Sequence, residues 1–152
     1  MGTSFIVVIC IFILDQTVKW WVVTHIPLHQ AQPLVPGLVE WFHIQNTGAG
    51  WGLFAGQMLL FQLVTLAMVL YIGRLIYLNR YRTGTLHLTL GLLLGGTLGN
   101  FADRLRLGYV VDMFHLQFFD FPVFNIADAA LTVGVIGLIL LVLTNKEMDG
   151  FI

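Results

Sequence analysis

Charge is what this 152-residue chain has least of: Asp, Glu, Lys and Arg together make up 10% of it, against 58% hydrophobic residues. Soluble domains carry roughly a quarter charged residues, so an aqueous globular fold is excluded. The mean hydropathy of +0.88 places the chain in a membrane, with membrane lipids as its surroundings. A formal net charge of −1 leaves no basic field, so no nucleic-acid partner is expected. Cys10 is the only cysteine, which rules out an intrachain disulfide and a cysteine metal cluster. It reads as a small apolar residue of a membrane helix. Ser4 is the only serine, so a serine nucleophile is implausible. His25, His29, His43, His87 and His115 are scattered and form no His-Glu-x-x-His pair, which disfavours a zinc peptidase, and no metal site is expected. Gly95, Gly96 and Gly99 follow no strand and have no adjacent Lys, so they read as helix-packing residues rather than a phosphate loop. The N-terminus lacks a basic n-region and a small-residue cleavage site, and is expected to be a retained first span. Ile6 stands where a myristoylation signal wants Ser or Thr.

What the chain does have is long apolar stretches. A span needs about 20 predominantly apolar residues, and Ser4–Val23, Met58–Leu78, Leu86–Ala102 and Ile126–Thr144 meet that need. The expectation is a mainly α membrane protein, a four-transmembrane-helix bundle forming one domain over residues 1–152. The third stretch is the shortest and richest in glycine, and is expected to pack closely and to run on toward Arg104 as a polar, protein-buried end. Arg74 near the end of the second span clusters with Arg80 and Arg82 between the second and third spans, and Lys146 follows the fourth. By the positive-inside rule both termini are then cytoplasmic, and the two remaining connections face outward. Arg104 and Arg106 break that rule and call for a local partner.

The outer connections are Thr24–Gln57 and Leu105–Asn125. Val39–Gln45, Tyr109–Val111 and Phe118–Phe124 are rich in aromatic and β-branched residues and read as strand-like. The two connections are expected to pair as a small extracytoplasmic β-structured region. Trp41, Phe42, Trp51, Leu53 and Phe54 are expected at headgroup depth, with a short amphipathic helix over Trp51–Gln57.

The few ionisable and amide residues gather at the outer ends of the spans: Asp15 and Lys19, then Asn100, Asp103 and Arg104, then Asn125 and Asp128. Asp15 and Lys19 share a helix face in the favourable acid-first order and read first as an ion pair. Asn125 reads as the N-cap of the fourth helix. Asp112 is embedded in Tyr109-Val110-Val111 and Met113-Phe114, which would desolvate a carboxylate, while Asp128 lies between two alanines that leave room for a substrate backbone. Two carboxyl groups close together in an apolar site share a proton, so one serves as base and the other as acid. Such a pair hydrolyses peptides through an activated water. Asn46, Asn100, Arg104 and Asn125 would supply donors to substrate carbonyls or to a lipid headgroup. Asp103 is the rival for membership of the pair, and Asp112 is preferred because an adjacent Arg tends to hold Asp103 ionised and structurally paired. A proton relay is the competing class of function, but its groups would spread through the depth of the bilayer, and here the middles of the spans are nearly bare.

Asp15-Gln16-Thr17-Val18-Lys19, Asn46-Thr47-Gly48-Ala49, Gly95-Gly96-Thr97-Leu98-Gly99-Asn100-Phe101-Ala102-Asp103-Arg104, Gly108-Tyr109-Val110-Val111-Asp112 and Phe124-Asn125-Ile126-Ala127-Asp128, in this order and over nearly the whole chain, resemble the motif set of the lipoprotein signal peptidase (signal peptidase II) family. The resemblance implies an aspartic peptidase of the bacterial cytoplasmic (inner) membrane that cleaves diacylglyceryl-modified prolipoproteins just before the lipidated cysteine. It implies no cofactor, and a monomer is the expected state. It casts Asp112 and Asp128 as the catalytic pair, Asn46, Gly48, Asn100, Arg104 and Asn125 as the surrounding polar shell, and Asp15, Lys19 and Asp103 as supporting residues. The chain departs from the usual Asn-x-Gly-Ala-Ala-Phe in having Gly50-Trp51 after Ala49.

Overall fold

The computed structural model describes residues 2–48, 53–54, 56–82 and 84–144. Four helices account for most of them: α1 (Gly2–His25), α2 (Met58–Leu78), α3 (Gly84–Arg106) and α4 (Ile126–Thr144). By length and composition α1, α2 and α4 can each cross a membrane. They are studded with exposed Leu, Ile, Val and Phe side chains, the surface that lipid tails cover.

The more polar α3 is the centre of the bundle, and the other helices pack around it. Lipid tails are as apolar as leucine, so helices in a bilayer gain little from burying leucine and associate through close packing. Glycine makes that approach possible here. A Cβ on Gly95 would come within 3.0 Å of Ile11 Cβ on α1, and one on Gly96 within 2.5 Å of the Ala127 carbonyl oxygen on α4. Away from the sheet, Ile72, Leu75 and Ile76 of α2 close against Leu86, Leu90 and Leu93 of α3.

Between the helices lie β1 (Ala31–Val35), β2 (Val39–Asn46) and β3 (Val110–Leu116), an antiparallel sheet in the order β1-β2-β3. The two connections do pair, β2 from the first against β3 from the second. The pairing carries a register shift: Trp41 faces Phe114, yet Ile44 faces Asp112, so Phe42 and His43 together oppose Met113. Residues five apart on a regular strand point to opposite faces. The bulge restores parity, so Trp41 and Asn46 share the face that carries Phe114, Asp112 and Val110.

Several local expectations need correction. Phe118–Phe124 is not a strand; its sole described sheet contact is a bridge between Phe124 and Phe114. Pro122 supplies no backbone N–H, which denies the segment a continuous ladder. The Trp41 ring packs 5.2 Å from that of Trp21 and 5.1 Å from that of Phe114. This stack joins Val22 of α1 and Ile26 just beyond it to Val111 and Met113, holding the sheet on the helix end. The amphipathic helix expected over Trp51–Gln57 is not found among its described residues, since Leu53, Phe54 and Gly56 are in turns; Gly50, Trp51 and Lys146 lie outside the described residues.

Candidate active site

Asp128 and Asn125 meet because α4 begins with a reciprocal cap. The Asp128 backbone N–H donates to Asn125 Oδ1 at 2.9 Å, and the Asn125 backbone N–H donates to Asp128 Oδ2 at 3.2 Å. This is the capping-box arrangement with Asn and Asp in place of Ser and Glu. It fixes the Asn125 amide with its nitrogen outward, where Nδ2 donates to Asp112 Oδ1 at 2.6 Å and to Asn100 Oδ1 at 3.0 Å. Asn100 Nδ2 in turn donates to Asp128 Oδ1 at 2.7 Å. The bulge in β2 places Asn46 diagonally across from Asp112, and Asn46 Nδ2 donates to Asp112 Oδ2 at 2.9 Å. Each of the four carboxylate oxygens therefore accepts an N–H.

Asp112 is 1% exposed. Burial, and after it the charge of Asp128, pushes its carboxyl up to about 7, against the opposing pull of the bonds from Asn46 and Asn125 and of the Lys19 ammonium. Both carboxylates line one cavity of about 450 Å³ between α2, α3, α4 and the sheet. Its polar end is formed by Asn46, Gly48, Asn100 and Arg104, and its apolar walls include Val64, Met68, Phe121 and Leu131. Arg104 explains its own presence at this end of α3: Nη2 donates to the Gly48 carbonyl at 3.4 Å, and the guanidinium stands 5.0 Å from the Phe61 ring.

Asp103 lies elsewhere. It is 2% exposed, does not line the cavity, and accepts the Val111 N–H at Oδ2 at 3.1 Å, with Lys19 Nζ 2.9 Å from the same oxygen. Lys19 is also 2.9 Å from Asp15 Oδ2 and donates to Asn100 Oδ1 at 3.0 Å. The structure thus brings Asp112, Asp128, Asn46, Gly48, Asn100, Arg104 and Asn125 to the cavity, and sets Asp15, Lys19 and Asp103 behind it. Gln16 belongs to that second group and was not singled out from the sequence. Its Nε2 donates to Asp103 Oδ1 at 3.0 Å, and its Oε1 accepts from Arg106 at 3.1 Å, the partner that Arg106 called for. An amide in an apolar run beside Asp15 was the signal for it.

A family model described as Signal peptidase (SPase) II matches residues 7–144. The chain belongs to the signal peptidase II family. Similar proteins include the lipoprotein signal peptidase of Lactobacillus johnsonii, 39% identical over 95% of this chain and 94% of its own length. That of Streptococcus agalactiae serotype III is 42% identical over the same shares. A bacterial membrane enzyme solved by the in meso method superposes with a TM-score of 0.91 at 32% identity, covering 96% of this chain and 92% of that one. Membership makes the chain a peptidase, and its apolar helices make it a multi-pass protein of the bacterial inner membrane.

Proposed function

We propose that this signal peptidase II is an aspartic endopeptidase that removes the signal peptide from diacylglyceryl-modified prolipoproteins, cutting before the lipidated cysteine, with Asp112 and Asp128 as its catalytic pair. The observation that carries the reading is the shared cavity: two carboxylates meet in it, each held by amide donors, at the polar end of an apolar cleft. One ionised carboxylate takes a proton from water as that water attacks the scissile carbonyl. The other, protonated, hydrogen-bonds the carbonyl oxygen and later delivers its proton to the leaving amine. Asn46 and Arg104 have donors at the polar end to orient the peptide and the headgroup, and Val64, Met68 and Leu131 suit acyl chains. This chemistry uses no metal and no organic cofactor.

The whole chain, 1–152, acts as one domain and as a monomer. α3 is the fourth span: it has 23 residues, and its lower hydropathy reflects a helix surrounded by protein rather than by lipid. Arg74, Arg80 and Arg82 lie at the end of the bundle away from the sheet, which supports cytoplasmic termini and a site near the extracytoplasmic face.

The test is cleavage of a lipid-modified prolipoprotein by detergent-purified protein. Asp112→Asn and Asp128→Asn should each fold and lose turnover, whereas Asp120→Asn, at an exposed position, should retain it. Full turnover by either of the first two overturns the pair.

A further inference from the structure

Asp15 and Asp103 each accept a backbone N–H, and both of those N–H groups lie one residue before a member of the catalytic pair. Asp15 Oδ1 accepts from Ala127, which precedes Asp128, at 2.9 Å. Asp103 Oδ2 accepts from Val111, which precedes Asp112, at 3.1 Å. Ala127 is in the first turn of α4, where N–H groups have no partner within the helix. Val111 is on β3, an edge strand of the sheet. Neither group is claimed by regular secondary structure, and one carboxylate is committed to each.

The two carboxylates are also tied to each other twice. Lys19 Nζ stands 2.9 Å from Asp15 Oδ2 and 2.9 Å from Asp103 Oδ2. Gln16 Nε2 spans the same pair, at 3.2 Å from Asp15 Oδ2 and 3.0 Å from Asp103 Oδ1. A third arm runs from Lys19 through Asn100 Oδ1, whose own Nδ2 reaches Asp128. A buried cluster of two acids and one base is a poor device for stability alone, because desolvation offsets much of the attraction. It is an effective device for fixing a distance, since its ammonium contacts are short and charged and the Gln16 amide adds directional bonds to the same two acids.

We propose that Asp15, Lys19 and Asp103 are positioning residues that set the separation of the Asp112 and Asp128 carboxylates, by holding the backbone ahead of each to a common ammonium. The inference rests on Asp112 and Asp128 being the pair. None of the three lines the cavity, so they act on the geometry of the bound complex rather than on substrate affinity.

The test uses full-length protein in detergent, with kcat per folded molecule and KM measured on a lipid-modified prolipoprotein. Asp15→Ala and Asp103→Ala should each lower kcat on the order of 100-fold, the effect of a small misplacement of reacting groups, with KM little changed. Asp15→Asn and Asp103→Asn still offer an oxygen to the backbone N–H and should recover about tenfold of that loss. Lys19→Arg keeps the charge but widens the bridge, and should lower kcat with KM unchanged. A loss confined to folded yield or Tm, with wild-type kcat per folded molecule, overturns the proposal, as does a change in KM in place of kcat. Should the Ala variants fail to fold, wild-type kcat in Lys19→Arg and both Asn variants overturns it equally. Asp112→Asn run alongside separates the two failures: turnover there removes the catalytic pair, and its absence beside fully active positioning variants removes only the bridge.

Discussion

Asp112 is buried where its carboxyl is pushed up to about 7, so at pH 8 the folded protein holds an ionised group that its surroundings disfavour. Asp112→Asn should therefore abolish cleavage and yet stabilise the protein at alkaline pH. The sign follows from linkage: a folded value above the ordinary value of about 4 contributes stability below that value and loses it as pH rises through the folded one. A shift of this size corresponds to on the order of 4 kcal/mol above the upper limit of the window. The Asn side chain gives part of this back. Asp112 accepts one amide N–H at each oxygen, from Asn125 and Asn46, and the Asn side chain must turn an NH₂ toward one of these donors. That mismatch costs about 1–3 kcal/mol. The net gain at pH 8 is then about 2 kcal/mol, a rise in Tm of roughly 4–8 °C for a chain of this size. Tryptophan emission is the assay, because Trp21 and Trp41 pack together where the sheet meets α1. At pH 4 the gain should vanish and the mismatch remain, making the variant slightly less stable than the parent. An equal gain at both pH values, or a loss at pH 8, refutes a burial-raised carboxyl at Asp112.

Asn46→Leu removes a donor that favours the ionised form of Asp112, so the alkaline limb of the rate profile, set by the upper value of the pair, should move up by about one pH unit, which kcat/KM measured from pH 5 to 9 would reveal. A fixed or lowered limb contradicts the assignment. Gly96→Val must separate α3 from the Ala127 carbonyl, one residue from Asp128, and should cost about 1–3 kcal/mol along with most of the activity; a thermal melt and a cleavage assay at the same temperature check both. Wild-type behaviour in both would mean that the two helices are free to move apart.

Helix positions were legible in the sequence because the bilayer imposes a local rule: about 20 apolar residues make a span wherever they occur. The stretches 4–23, 58–78, 86–102 and 126–144 differ from the helices by a few residues at most, and the extra turn of α3 to Arg106 is where polar residues are covered by protein rather than lipid. The crowding of amides and acids at one end was legible for the same reason, since charge in an apolar chain stands out. Strand content was less legible: β2 and β3 came through as aromatic and β-branched runs, but Phe118–Phe124 has the same composition without the pairing.

The sequence by itself therefore determined a membrane-embedded helical protein, its family, and the set of polar residues from which a site can be built, because hydropathy and motif order are properties of the chain alone. Only the tertiary structure decided how those residues are held. Asp103 and Asp112 are both acids at one end of the bundle, and no spacing rule separates them. The bulge at Phe42 and His43 turns Asn46 to the face of Asp112, the Asn125 cap aims an amide at the same carboxylate, and Lys19 and the Val111 N–H hold Asp103 outside the cavity. These are register and long-range contacts between elements distant in sequence, and a local pattern carries no information about which of them form.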